Sequence, residues 1–207
     1  MKKYIIIKQP AGFGDILFCQ KIAKVLQRNT DYTEVIWPVA PVYSYIQEYM
    51  GDDNLYFPSE NEDFPFKDIW QSGYHQCLQS EQFLFIPLQS SDISFPKCTC
   101  HDSRRAHGHI KYNFVNMDYL DWKDYLSFKR FNDREDALIK HLGLDINEPY
   151  NLINKSCGTP PHCEYRENIK PDNDYKNLYM EPIEGFSLFD WIKVFEHAEE
   201  IHTMETG

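Results

Sequence analysis

The stretch Lys3-Tyr4-Ile5-Ile6-Ile7-Lys8-Gln9-Pro10-Ala11-Gly12-Phe13-Gly14-Asp15-Ile16-Leu17 constrains this chain more than any other. Tyr4 to Ile7 is an unbroken aromatic and β-branched run, which suits a strand buried on both faces. Gly12 and Gly14 can adopt positive φ and leave room for a ligand beside the backbone. Asp15 falls at or just before a first helical turn, where free N–H groups and the helix dipole favour a carboxylate. From Ile16 the pattern turns helical, with Ile16, Cys19, Ala23 and Leu26 on one stripe. Strand, glycine turn and amphipathic helix in that order open an α/β domain. The carboxylate then lies at the carboxyl end of a strand, where such folds bind their ligands.

Two common phosphate-binding motifs are excluded. A dinucleotide fingerprint needs a third glycine three residues after Gly14, and Leu17 stands there. No Gly-Lys-Ser/Thr follows, so the turn is not a phosphate loop. Asp15 itself has two readings from spacing: a helix N-cap, or a carboxylate that does chemistry.

The segment GFGDILFCQKIAKVLQ resembles the N-terminal signature of GT-B glycosyltransferases of the heptosyltransferase type, glycosyltransferase family 9. The segment GFSLFDWIKVFEHAEEIHTMETG, residues 185–207, is similar to the part of that family's C-terminal domain where a helix leads into a strand ending in Asp-Thr-Gly. Glu205 takes the place of the Asp and is followed by Thr206 and Gly207. The resemblance implies a Rossmann-like parallel sheet, the GT-B N-terminal domain, followed by a partial second α/β domain. It implies sugar transfer from a nucleotide-sugar donor to a glycan or other hydroxyl acceptor, with inversion and without a metal or other cofactor. Asp15 would be the base. Gly12, Phe13 and Gly14 would form the turn that substrate approaches. Glu205, Thr206 and Gly207 would meet the donor's phosphates, with backbone N–H groups of a following helix; a tail without fixed structure is the alternative.

A length of 207 residues allows one sizeable domain, or one domain and part of another. A net charge of −11 argues against nucleic acid or an anionic membrane as partner. No apolar run is long enough to span a bilayer, and MKKYIIIKQP lacks the cleavage site of a signal peptide. A cytoplasmic protein with reduced cysteines is expected, because six cysteines scattered over a chain this long do not form a disulfide framework.

Further strands are expected at 34–37, 55–57, 82–88, 151–154, 177–180 and 201–204, separated by helical patterns, which predicts parallel βαβ units. Val42, Tyr45, Ile46 and Tyr49 recur at helical spacing. Residues 59–80 have no clear pattern, and 89–111 form a long polar loop. Helices are expected over 112–125 and 133–142. Ser187 and Asp190 form a capping box ahead of a stripe of Leu188, Trp191, Ile192 and Phe195. A boundary near residue 147 divides an acceptor-side domain, 1–147, from the start of a nucleotide-sugar domain, 148–207. The second domain looks incomplete, so a second chain that completes it is one expected partner.

The 89–111 loop carries Lys97, Arg104, Arg105 and Lys111, a basic patch suited to an anionic acceptor or a diphosphate, or else a solvated charge run. Its Cys98, Cys100, His101, His107 and His109 have the ligand types for zinc but not the usual spacing. Lys155 follows a strand end as a phosphate-binding lysine does. A second function class stays open: a non-catalytic α/β module that binds a sugar or nucleotide, or the remnant of a split glycosyltransferase.

Overall fold

The structure, a computed structural model, describes residues 2–9, 12–88, 110–159, 162–165 and 169–203. It divides into two units, with the division between Phe128 and Lys129.

The first unit is built on a five-stranded sheet of order β3-β2-β1-β5-β4. Its strands are β1 (Tyr4–Lys8), β2 (Glu34–Ile36), β3 (Leu55–Tyr56), β4 (Leu78–Gln79) and β5 (Phe83–Pro87). Strands β3, β2, β1 and β5 are parallel, and β4 closes the edge antiparallel to β5. Ile5, Ile6 and Ile7 are all fully buried, as expected of a β-branched strand at the centre of a two-sided sheet. Tyr4 to Lys8 pair with Phe83 to Pro87 on one side, and Tyr4 to Ile6 with Glu34 to Ile36 on the other. The chain leaves β1 toward β2 and later returns to its other side as β5. The carboxyl end of β1 is therefore a topological switch point, where open α/β sheets form a crevice.

The helix after β1 comes in two pieces, α1 (Phe13–Phe18) and α2 (Gln20–Asn29), with a turn at Cys19. Cys19, Ile22 and Ala23 are buried beneath them. The 42–49 pattern becomes a 3-10 turn, Pro41–Tyr43, and a short helix, Ile46–Met50. Val42 is exposed there, while Tyr43, Ile46, Tyr49 and Met50 are buried. The unpatterned 59–80 region holds a helix, Lys67–Gln71, as well as β4. That helix starts from Phe66 at φ 62°. The Phe66 ring lies 5.6 Å from Tyr4 and 5.0 Å from Phe83, and this packing holds a backbone conformation the residue alone disfavours.

The expected helix over 112–125 does not form as one piece. Residues 110–114 are helical, Asn116 has φ 55°, and Trp122–Tyr125 is a separate 3-10 turn. Contacts with α2 set this path: Lys21 binds the Asp118 carbonyl and the Asp121 carboxylate, and Lys24 donates to the Tyr125 carbonyl at 2.7 Å.

The second unit has a parallel sheet of order β10-β6-β9, made of β6 (Tyr150–Asn154), β9 (Lys176–Tyr179) and β10 (Glu200–Thr203). A separate antiparallel hairpin, β7 (Ser156–Thr159) with β8 (His162–Tyr165), fills the span expected to be a plain connection. The helix Asn132–His141 belongs to this unit, so the division precedes the expected boundary at 147. Its Leu138 is buried in one cluster with Tyr150, Leu152, Trp191 and Val194. The capping box at Ser187 and Asp190 forms, and the helical stretch from Leu188 to His197 buries Phe189, Trp191 and Val194. No helix among the described residues is long and apolar enough to cross a membrane.

Candidate functional site

Gly12 caps α1 in extended backbone, with φ −155° and ψ 122°, and Gly14 lies inside the helix. Neither uses the positive φ that the sequence allowed. Asp15 is the third residue of α1 and makes no side-chain cap bond. The carboxylate is thus not spent on the helix end, and its side chain is 43% exposed. Gly12 matters for another reason: a Cβ there would stand 2.8 Å from Asp15 Oδ2. A Cβ on Gly14 would meet nothing within 4 Å. The Phe13 ring packs 6.2 Å from Tyr45 and 6.1 Å from Tyr43.

Lys111 Nζ donates to Asp15 Oδ1 in a close ion pair. The lysine side chain is only 12% exposed, so this pair is better shielded from water than a surface bridge. Its neighbour Tyr112 sets the geometry. Tyr112 is fully buried and donates its hydroxyl to the Phe18 carbonyl at the end of α1. The rings of Phe18 and Tyr112 stand edge to face at 5.0 Å, and Trp122 adds a second edge contact at 5.2 Å. These aromatics are the anchor that brings Lys111 to Asp15 across 96 positions. Sequence reasoning placed Lys111 in a basic loop patch. Its pairing with Asp15 had no signal in spacing, because only tertiary packing joins the two.

In the second unit, Lys155 follows the carboxyl end of β6, and its ammonium lies 4.4 Å from the Tyr179 ring centroid. A cation over a ring face at that distance is attracted by the ring's quadrupole. Lys155, Tyr165, Tyr179 and Glu181 line a cavity of about 310 Å³ at the ends of β6 and β9. Arg104, Arg105, Glu205, Thr206 and Gly207 lie outside the described residues, as do the loop cysteines and histidines weighed for zinc. Among the described residues no cluster of His, Cys, Asp or Glu could hold a metal. Cys19 is a free, buried thiol, with its pKa pushed up to about 12 by desolvation.

Parallel sheets with a carboxylate at a strand-to-helix turn define an α/β protein of the Rossmann-like class. No protein-family model matches the chain, and no curated protein matches it. It is similar in structure to the glycosyl transferase family 9 protein from Veillonella parvula, with a TM-score of 0.44 and 11% identity over 76% of this chain and 54% of that one. The chain thus spans about half the length of that solved structure.

Proposed function

We propose that this chain works in glycosyl transfer, moving a sugar from a nucleotide-sugar donor to a hydroxyl acceptor, with Asp15 as the base. The observation that supports this is the half-exposed Asp15 carboxylate at the switch point, beside the cation of Lys111. Asp15 takes the proton of the acceptor hydroxyl while that oxygen bonds to the anomeric carbon from the face opposite the leaving group. The bond to the nucleoside diphosphate breaks with its electron pair, so the configuration inverts. No described residue donates to Asp15 Oδ2, which leaves that oxygen to receive the proton. Lys111 holds Oδ1 and with it the orientation of the carboxylate. Gly12 leaves space beside Oδ2. On the donor side, Lys155 and its cavity offer a cation and aromatic walls, and Arg104, Arg105 and Glu205 to Gly207 are further candidates from the resemblance. A cytoplasmic setting suits a nucleotide-sugar donor.

The test is turnover of a panel of nucleotide sugars with sugar acceptors. Asp15→Asn lowers transfer by about 10²–10⁴-fold, the range for loss of a general base, and leaves the fold unchanged. Equal activity in the variant rules out the base assignment.

The Lys111–Asp15 ion pair also favours a second reading, a non-catalytic module that binds a sugar or nucleotide. A carboxylate already neutralised by a lysine serves structure as well as chemistry. Calorimetry separates the readings: nucleotide sugars that bind without being turned over support the module.

A further inference from the structure

Buried side-chain atoms without a hydrogen-bond partner gather in one part of this molecule. Among the described residues they are Gln9 Nε2 and Oε1, Gln20 Oε1, Trp37 Nε1 and Trp70 Nε1, all in the first unit. Gln9 stands apart because both ends of its carboxamide are unpaired, although the residue is only 5% exposed. Native proteins pair nearly all such groups, and an unpaired one is destabilising.

Gln9 directly follows β1, at the switch point. Lys8 sends its ammonium to the Ser72 carbonyl at 2.8 Å and over the Trp70 ring. Continuing the alternation of β1 one residue past its end places Gln9 on the face opposite Lys8. Continuing the β1–β2 register one residue past the Ile6 and Ile36 pair matches Ile7 with Trp37. Trp37 therefore shares the face of Ile7 and Gln9, at the end of the neighbouring strand. Gln9 also stands six positions before Asp15 in the chain. Gly12 is three positions beyond Gln9, a reach of at most about 11 Å between the two Cα atoms, and Asp15 Oδ2 lies 2.8 Å from the Cβ position on Gly12. A sugar or disaccharide is long enough to bridge a span of that order.

We propose that Gln9 is a specificity-determining residue for a neutral, hydroxyl-bearing sugar bound at the carboxyl end of β1. The choice of a sugar as ligand rests on the transfer reading of Asp15. A carboxamide presents a donor and an acceptor side by side. Adjacent ring hydroxyls each donate and accept, so they satisfy both without any charge. A phosphate would set its oxygens against Oε1, and a metal cation would set its charge against the Nε2 hydrogens. In a site shielded from water, a ligand lacking the hydroxyl leaves the carboxamide unpaired, which is how such sites discriminate.

The test uses the full chain and a panel of free glucose, galactose, mannose, fucose and N-acetylglucosamine, followed by NMR. At least one sugar binds wild type and Asp15→Asn and moves the Gln9 side-chain amide resonances. Gln9→Met weakens that binding at least about tenfold, and its thermal midpoint is equal to or above that of wild type. Amide resonances unmoved by every sugar, or equal sugar binding in Gln9→Met, overturns the proposal and assigns the carboxamide to buried water. The wild-type resonances need no variant, so a misfolded Gln9→Met leaves the test standing. Transfer activity with an acceptor KM unaffected by Gln9→Met overturns this proposal and keeps the transferase. Gln9-dependent sugar binding without any transfer sustains it and removes the transferase.

Discussion

Lys111 Nζ holds Asp15 Oδ1 at the carboxyl end of β1, and the two residues come from opposite ends of the first unit's chain path. The lysine orients the carboxylate, so, on the proposed role of Asp15 as base, Lys111→Met is expected to lower turnover by about 10–100-fold through misplacement of that carboxylate. Steady-state kinetics with a nucleotide sugar check this. On the proposed assignment of the donor to the second unit's cavity, the donor KM stays near wild type, because the substitution touches Asp15 instead.

Gly12 and Gly14 separate a steric role from a helical one. Gly12→Ala places a methyl 2.8 Å from Asp15 Oδ2 and pushes the carboxylate aside. Activity falls about tenfold or more while the melting temperature stays close to wild type. Gly14→Ala meets open space within a helix and raises stability by about 0.5–1 kcal/mol, with activity kept. Parallel thermal melts and activity assays on the two variants distinguish the roles.

Asp190 supports the second unit in two ways. Its Oδ2 accepts the Ser187 N–H at 2.7 Å, and its two oxygens receive Arg134 at 3.0 and 2.9 Å. The side chain is fully buried. Asp190→Ala removes the cap and leaves Arg134 without this carboxylate, which is expected to cost about 3 kcal/mol. Urea unfolding followed by circular dichroism measures it.

Leu138 is fully buried against Tyr150, Leu152, Trp191 and Val194. Leu138→Ala opens a cavity there and lowers stability by about 2–5 kcal/mol. The Gly12, Asp15 and Lys111 site belongs to the other unit. Sugar binding at Gln9 therefore survives at temperatures where the variant stays folded.

Stability is expected to fall in alkali. Burial raises the Cys19 thiol to about 12 and the Tyr150 phenol to about 12, and pushes Tyr112 higher still. Unfolded thiols and phenols ionise from about pH 9–10, while the folded groups keep their protons. The folded state then binds more protons, so stability is full below pH 9 and is lost progressively as pH climbs toward 12. Denaturant midpoints measured across that range report the slope. Cys19 stays unreactive to thiol reagents at pH 8 until the protein unfolds.

Much of the framework was readable without coordinates. The β-branched run Tyr4 to Ile7, the strand at 82–88 and the Ser187–Asp190 capping box each carry a local signal that survives in the fold. The region 59–80 was not readable, because Phe66 sits in a left-handed conformation that its packing on Tyr4 and Phe83 supports. The helix expected at 112–125 breaks for a similar reason, since Lys21 and Lys24 bind the carbonyls and carboxylate of a chain that has turned away from helix.

For this protein, local sequence determined a buried central strand, a helix that begins at the glycine pair and a carboxylate in its first turn. Those follow from side-chain shape and backbone freedom over a few residues. Tertiary structure alone decided that Lys111 reaches Asp15, that the Asn132–His141 helix joins the second unit, and that the Gln9 carboxamide is buried without a partner. Each depends on residues far apart in the chain, whose meeting is set by packing of the whole unit rather than by any spacing along it.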